Sequence, residues 1–200
     1  MSYKWNTRTE LLLGAERMEY LSHCHVLVVG LGGVGAYAAE QICRAGIGHM
    51  TIVDADTVND SNINRQLPAL HSTLGMQKAE VVGQRLLDIN PRLKLTILNE
   101  FLRDERTEEV LSAQKYDFIV DAIDSLSPKA YLLYHAYRRE IPIVSSMGAG
   151  AKIDPSQVKI ADISKTCNCA LAKAVRKRLR GMGLNKGIPV VFSTEIANPE

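Results

Sequence analysis

The sequence lacks a strong excess of one charge, long apolar runs and abundant cysteine. Its formal net charge is only +2 over 200 residues, so whole-molecule electrostatics give no reason to expect a nucleic acid or a membrane as partner. No apolar run approaches the roughly 20 residues of a membrane span, and the N-terminus has no secretory pattern. We therefore expect a cytoplasmic protein without membrane contact, in which any basic patch is local.

Cysteine is scarce, with four residues in the chain. Cys24 and Cys43 lie in apolar surroundings, which favours small core side chains over metal ligands. Cys167 and Cys169 form a CxC pair whose spacing does not by itself suit a four-thiolate zinc site. This pair could be incidental, redox-active or a relay for a sulfur-transfer protein partner, and we favour the first interpretation.

What the sequence does contain is an alternation of strand and helix patterns in an ordinary globular composition, 46% apolar and 23% charged. Short apolar runs typical of buried parallel strands occur at His25–Gly30, Met50–Asp54, Leu93–Leu98, Tyr116–Asp121 and Ile141–Ser145. Helices are predicted at Ala36–Ala45, Lys78–Ile89 and Ser127–Arg139. The alternation predicts an α/β, Rossmann-like fold, with a mainly parallel open sheet and helices on both faces.

The pattern changes after Gly148. Strand patterns at Val158–Ile163 and Pro189–Ser193 flank a basic helix pattern at Ala170–Arg180. We expect residues 1–150 to form the nucleotide-binding domain. Residues 151–200 are expected to continue that domain as a C-terminal extension with additional strands and the basic helix.

A glycine-rich motif, G-x-G-x-x-G, directly follows the first predicted strand and opens the first helix. Its glycines are Gly30, Gly32, Gly33 and Gly35. Such glycines permit a tight turn and let backbone N–H groups approach a phosphate at the positive end of the helix. Asp54 closes the second strand, where a carboxylate accepts from a ribose hydroxyl. The motif predicts a nucleotide or dinucleotide site, and a glycine-rich turn without a ligand is the alternative.

The segment that follows Asp54 favours ATP over NAD. It reads DADTVNDSNINRQ, contains Asn62 and Arg65, and is followed by Lys78. An amide, a guanidinium and an ammonium near a phosphate-binding turn suit a triphosphate, because charge grows on the pyrophosphate as it leaves. Solvated surface charges are the alternative for Arg65 and Lys78.

Asp124 follows the fourth predicted strand in the sequence DAID. That position is the carboxyl edge of the sheet, where folds of this type place their sites. A carboxylate there could hold Mg²⁺, or it could cap a helix or belong to a loop.

These motifs together resemble a known family. Over roughly residues 8–150, the chain resembles the activating domain of the ubiquitin-activating and sulfur-carrier-adenylating enzymes. The motifs that carry this resemblance are GLGGVG, DADTVNDSNINRQ, the helix that starts at Lys78, and DAID. The resemblance implies that residues 1–150 are an ATP-binding adenylation domain. It further implies ATP and Mg²⁺ as cofactors, adenylation of a carboxylate as the reaction, and a homodimer.

The resemblance also implies a role for each candidate residue. The residues expected around ATP are Gly30, Gly32, Gly33, Gly35, Asp54, Asn62, Arg65 and Lys78. Gly33 would face the nucleotide and Asp54 the ribose, while the last three would face the phosphates. Asp124 would serve the metal, and Arg8 would reach the ATP of the partner subunit. The catalytic set is then Arg65, Lys78, Asp124 and Arg8.

Departures from the family pattern narrow the choice among the branches of this family. The chain has no CxxC pairs for a structural zinc, and no cysteine can be placed as a thioester nucleophile. The chain instead resembles the tRNA threonylcarbamoyladenosine dehydratases. The segments that carry this resemblance are NRQLPALHSTLGMQKAEV, DAIDSLSPKA, SSMGAGAKIDPSQ and ADISKT. Members of that branch adenylate the carboxylate of a threonylcarbamoyl group on a tRNA adenosine, and the adjacent nitrogen then closes a ring and expels AMP. Family members usually continue past a strand like Pro189–Ser193, so residues that complete the site could lie beyond this sequence, and the sequence alone does not decide this.

The resemblance implies tRNA as a partner, and the basic helix offers a surface for it. Its basic residues are Lys173, Arg176, Lys177, Arg178 and Arg180. This density could follow a phosphate backbone, and an amphipathic helix with a solvated face is the alternative.

Other functions stay open. The first is adenylation of the C-terminus of a ubiquitin-like or sulfur-carrier protein. The second is an NAD-dependent oxidoreductase, for which the chain offers no obvious His or Tyr constellation for hydride transfer. The third is a nucleotide-binding module without catalysis, which would not need Arg65, Lys78 and Asp124 together.

Overall fold

The computed structural model describes residues 4–197. The helices are α1 Thr7–Leu13, α2 Ala15–His23, α3 Gly35–Arg44, α4 Lys78–Ile89, α5 Asp104–Ala113, α6 Leu126–Arg138 and α7 Ala170–Gly181. The strands are β1 His25–Val29, β2 His49–Val53, β3 Lys94–Leu98, β4 Phe118–Asp121, β5 Ile143–Ser146, β6 Val158–Asp162 and β7 Pro189–Ser193. The strand order is β3-β2-β1-β4-β5-β7-β6. The predicted α/β class is confirmed.

The chain divides into two compact units. The first unit runs to Phe101 and includes Tyr116–Phe118, and the second comprises Leu102–Lys115 and the chain from Ile119 onward. Within the described residues, no helix has the length and apolar character of a membrane span.

The first unit is organised on three parallel strands. β1 pairs with β2 in the register His25↔His49, and β2 pairs with β3 in the register His49↔Lys94. Every residue of β1 is buried, as expected for a strand covered on both faces, which explains its near-continuous apolar sequence. In α3, Ala36, Ala39 and Cys43 are buried at helical spacing and supply its packing face.

Helices α1 and α2 contact the rest of the first unit without burying any of their residues. Neither helix has a buried residue. The C-terminal end of α2 meets the loop before β2, where the Gly48 N–H donates to the Leu21 carbonyl oxygen at 3.1 Å. A Cβ atom at Gly48 would lie 1.6 Å from the Ser22 carbonyl oxygen, so this approach requires glycine. The exposed side chains of the two helices are left for solvent or for another molecule.

The second unit contains both parallel and antiparallel pairs. β4 pairs with β5, and β5 with β7, in parallel, while β6 pairs antiparallel with β7 from Val158↔Ser193 to Asp162↔Pro189. Helix α6 packs against α5 and α7. The predicted C-terminal extension with additional strands is confirmed.

Candidate nucleotide site

The glycine-rich motif forms the turn between β1 and α3. Gly30 has φ +87°, a conformation that favours glycine, and its N–H donates to the Val53 carbonyl oxygen at 2.8 Å. The chain enters α3 at Gly35. Among residues 4–197, the N–H groups of Gly32 and Gly33 donate no hydrogen bond. The turn therefore offers donors at the positive end of a helix, where a phosphate binds favourably.

Asp54 is bonded to this turn. Its Oδ2 accepts from the Leu31 N–H at 2.6 Å, and its Oδ1 accepts from the Asp56 N–H at 2.8 Å. Burial raises the pKa of the Asp54 carboxyl, while these two hydrogen bonds and the nearby Lys78 ammonium lower it. Each carboxylate oxygen keeps a second lone pair, so the group still has capacity to accept from a ribose hydroxyl.

Asn62 is buried in a short 3-10 turn that begins at Asp60. Its Oδ1 accepts from the Asn59 N–H at 3.1 Å, and the Asn59 side chain accepts in return from the Ser61 N–H at 3.0 Å. The Asn62 carbonyl is thus committed to the turn. Its Nδ2 has no hydrogen-bond partner among residues 4–197, and this amide is the group left to donate to a phosphate.

Arg65 lies against the glycine-rich turn. A Cβ atom at Gly33 would be 3.6 Å from the Arg65 Cγ and from its carbonyl oxygen. Its Nη1 donates to the Ser61 carbonyl oxygen at 2.8 Å and to Asn64 Oδ1 at 2.9 Å. The side chain is exposed. The structure therefore brings Gly33 and Arg65 together, and leaves the guanidinium open to a ligand.

Lys78 opens α4 and is only 5% exposed. Its Nζ donates to Asp56 Oδ2 at 2.9 Å, and its backbone N–H donates to the Asp56 carbonyl oxygen at 2.9 Å. An ammonium has three protons to donate. Lys78 is therefore a buried cation beside Asp54 and Asp56, and this ion pair orients it. Nothing in the sequence indicated the pairing with Asp56, because a carboxylate in a loop gives no signal of its distant partner.

Gln66 is a further residue that the sequence analysis missed. Its Oε1 is buried and, within the part of the chain that the structure describes, accepts no hydrogen bond. Its Nε2 would lie 3.7 Å from a Cβ atom at Gly32. An unsatisfied buried acceptor costs about 1–3 kcal/mol, so a ligand donor at this point would stabilise the fold. Its only sequence signal was its place after Arg65.

Asp124 belongs to the turn between β4 and α6 in the second unit. Its carboxylate is exposed and has no hydrogen bond or ion pair within residues 4–197. That region also contains no group of three or more His, Cys, Asp or Glu side chains arranged for a metal ion. A single free carboxylate fits Mg²⁺, which is commonly held by one or two carboxylates, waters and substrate phosphates.

Arg8 is exposed on α1, where no residue is buried. Leu11 and Leu12 on the same helix are 74% and 81% exposed. Arg8 makes no hydrogen bond or ion pair among the described residues, so the role that the resemblance gives it stays a prediction.

The basic residues of α7 have different environments. Lys173, Lys177 and Arg180 line a cavity of about 540 Å³ with Ala170 and Ala174. Arg176 also borders it, but its Nη1 donates to the Thr166 carbonyl oxygen at 2.9 Å and contacts the Thr166 hydroxyl. Arg178 is exposed. Lys173, Lys177 and Arg180 therefore lie together, and their side chains make no hydrogen bond or ion pair within the described residues. Arg176 is partly engaged.

The cysteines are buried except for Cys167, which confirms Cys24 and Cys43 as core side chains. Burial raises the pKa of the Cys43 thiol to about 11. Cys169 is the N-cap of α7, and its Sγ accepts from the Ala172 N–H at 3.4 Å. One member of the CxC pair thus has a structural contact.

A family model places the chain in a defined class. The model of the ThiF family matches residues 3–196. The chain belongs to the ThiF family.

Within this family the chain is similar to the tRNA threonylcarbamoyladenosine dehydratases. It is 43% identical to the Bacillus subtilis enzyme over 189 residues, which covers 94% of this chain and 74% of the relative. It is 39% identical to the Escherichia coli enzyme over 205 aligned residues, which covers 98% of this chain and 76% of the relative.

A solved structure gives the same result. The crystal structure of the Escherichia coli dehydratase, TcdA, in complex with ATP superposes with a TM-score of 0.93 at 37% identity, covering 98% of this chain and 83% of that one. The resemblance to the dehydratase branch is confirmed.

Proposed function

We propose that this protein uses ATP to adenylate the carboxylate of a threonylcarbamoyl group on a tRNA adenosine. A carboxylate oxygen bonds to the α-phosphorus of ATP, and pyrophosphate leaves. The adjacent nitrogen then bonds to the activated carbonyl carbon and gives up its proton, and AMP leaves with the electrons of the broken C–O bond. The observation that carries the proposal is Arg65 packed on Gly33, in the same unit as the buried Lys78.

These two cations suit the departure of pyrophosphate. The Arg65 guanidinium lies beside the glycine-rich turn, and the Lys78 ammonium lies at the positive N-terminal end of α4. Donors held in place before the reaction stabilise charge that grows in the transition state without further reorganisation. Hydride transfer to or from NAD develops no such charge on phosphates, so adenylation explains these residues better.

Asp124 would hold the Mg²⁺ that accompanies ATP. The exposed carboxylate is a hard anionic ligand without a competing partner in the described chain. Bound Mg²⁺ would neutralise charge on the phosphates. The residues of this chain would then bind and orient the nucleotide through the glycine-rich turn, Asp54 and Asn62.

No step of this proposal needs an enzyme thiol, because the ring closes within the substrate. The raised pKa of Cys43 keeps its thiol protonated near neutral pH. Cys169 caps a helix, which agrees with an incidental CxC pair. A sulfur-transfer partner and a cytoplasmic location stay predictions.

The choice of nucleotide and of reaction can be tested directly. ATP with Mg²⁺ should raise the melting temperature more than NAD does, because a tightly bound ligand stabilises the fold. Exchange of labelled pyrophosphate into ATP, dependent on the acyl acceptor, separates adenylation from nucleotide binding alone. A larger shift with NAD and no exchange would contradict the proposal.

We also propose a homodimer in which α1 contacts the partner subunit. Helices α1 and α2 have no buried residue, and Leu11, Leu12 and Tyr20 are largely exposed. Exposed apolar side chains on two neighbouring helices favour an interaction surface. A two-fold dimer would present both copies of α1 equivalently.

If Arg8 acts on the ATP of the partner subunit, two inactive variants should complement each other. Each mixed dimer of Arg8→Ala and Lys78→Ala chains regains one site with both residues. After subunit exchange, an equal mixture should recover about a quarter of the parent activity. The measurement is AMP release before and after mixing, with exchange confirmed by differently tagged chains. Absence of recovery in exchanged dimers would remove Arg8 from the partner's site.

The α7 cavity makes tRNA binding testable. Lys173, Lys177 and Arg180 share this cavity, and each phosphate contact releases counterions. Changing all three to Gln should weaken tRNA binding and flatten the dependence of log K on log salt by up to about three contacts' worth. Titration of tRNA at several salt concentrations measures this slope.

A matched control removes the same charge elsewhere in the second unit. Lys115, Lys159 and Lys186 are exposed outside this cavity. Their triple Gln variant should keep the parent slope, and both triple variants should keep the parent ATP affinity. Equal slopes in parent and α7 variant would leave α7 as a solvated face.

A further inference from the structure

Two charged side chains are completely buried where β4 ends. Asp121 and Lys129 both have 0% exposure, and Lys129 Nζ donates to Asp121 Oδ2 at 2.7 Å. Ser145 on β5, the register partner of Asp121, donates its hydroxyl to the same Oδ2 at 2.5 Å. Removing two charges from water is costly, and well-packed apolar residues would often be at least as stable. Stability alone therefore explains this pair poorly.

Both members of the pair form hydrogen bonds with the backbone of one residue, Ile123. Asp121 Oδ1 accepts from the Ile123 N–H at 3.0 Å. Lys129 Nζ donates to the Ile123 carbonyl oxygen at 2.7 Å. The peptide groups on both sides of the Ile123 Cα are thus fixed. The second of these groups leads directly into Asp124, whose carboxylate is exposed and without a partner in the described chain.

We propose that Asp121 and Lys129 are positioning residues that hold the backbone of Asp124 so that its carboxylate can bind Mg²⁺. This inference rests on the metal role proposed above for Asp124. A carboxylate on a mobile turn would lose conformational freedom on binding, and a fixed turn avoids this loss. Groups behind a metal ligand commonly change metal affinity by about 10- to 100-fold when they are altered.

The test needs a variant that loses the bond to the Ile123 carbonyl and still folds. Lys129→Met alone would leave the Asp121 carboxylate buried without a countercharge. The double variant Asp121→Asn/Lys129→Met is neutral and keeps an acceptor for the Ile123 N–H. Ser145→Ala is the matched control, because it removes a buried hydrogen bond of Asp121 without touching Ile123.

The measured quantity is the factor by which Mg²⁺ strengthens the binding of a non-hydrolysable ATP analogue. This enhancement is the ratio of the Kd in EDTA to the Kd in Mg²⁺. Melting temperature is measured in parallel. The double variant should lose about tenfold of this enhancement and keep its affinity in EDTA. Ser145→Ala should lose stability and keep the enhancement.

Asp124→Asn is the benchmark that separates this inference from the metal proposal. If Asp124→Asn reduces the enhancement and the double variant matches the parent, the positioning role is wrong and the metal role stands. If Asp124→Asn also matches the parent, the metal role itself is wrong, and the positioning role fails with it. An equal loss in Ser145→Ala and the double variant would show a general structural effect and overturn the positioning role.

Discussion

Alanine in place of Lys78 or Arg65 is expected to slow acyl-adenylate formation by about a hundredfold or more. Both side chains are placed to stabilise the charge that grows on pyrophosphate. Arg65 is exposed, so its removal leaves the core unchanged. Lys78→Ala leaves the Asp56 carboxylate without its cation, but this carboxylate is 55% exposed and stays solvated. Both variants should therefore fold.

The measurement is single-turnover formation of the adenylate, with melting temperature as a check of folding. Lys94→Ala is a suitable control, because this residue is exposed in the first unit and lies outside the glycine-rich turn. The control should react at the parent rate. A parent rate in both Lys78→Ala and Arg65→Ala would contradict adenylation at this site.

Asp124→Asn is expected to lower turnover at limiting Mg²⁺ on the order of a hundredfold. The amide keeps the shape of the side chain and removes the anionic ligand. Raising the Mg²⁺ concentration should restore part of the lost rate, because metal affinity is the property that changes. The steady-state rate is measured across a Mg²⁺ titration.

Asp88→Asn provides the control for this change, since Asp88 is an exposed carboxylate on α4. Its Mg²⁺ dependence should equal that of the parent. If the Asp124→Asn titration also superposed on that of the parent, Asp124 would be a loop carboxylate without a metal.

The sequence predicted the strands and helices whose apolar pattern results from burial in the core. β1 and β2 are almost wholly buried, and their near-continuous apolar runs were sufficient to find them. Helices α1 and α2 have no buried residue, so no apolar stripe marked them. Helix α5 reads DERTEEVLSA and buries only three residues. The many charged residues of α5 obscured the helical spacing of these three buried residues.

Candidate site residues could be proposed from the sequence where one residue carries its own chemical signal. The glycine-rich turn, Asp54 and Arg65 were proposed from their types and spacing, and the structure places Arg65 on Gly33. Ion pairs between residues that lie far apart in the sequence were not predictable. Lys78 pairs with Asp56, 22 residues away in sequence, and nothing local in the sequence links them.

One lysine and one arginine of ordinary appearance also have unexpected environments. Lys129 is a helical lysine, a type expected in solvent, yet it is completely buried. Arg176 lies in the basic helix, but it donates to Thr166. Helical spacing assigns a residue to a face, and only the neighbouring elements decide what that face contacts.

The most direct test of the account is ATP-dependent AMP release with two alternative acceptors. One is tRNA that carries the threonylcarbamoyl group on its adenosine, and the other is a carrier protein that ends in Gly-Gly. We predict AMP and pyrophosphate in amounts equal to the tRNA converted, and a modified nucleoside that has lost the mass of one water. AMP release with the carrier protein alone, or a tRNA nucleoside of unchanged mass, would contradict the account.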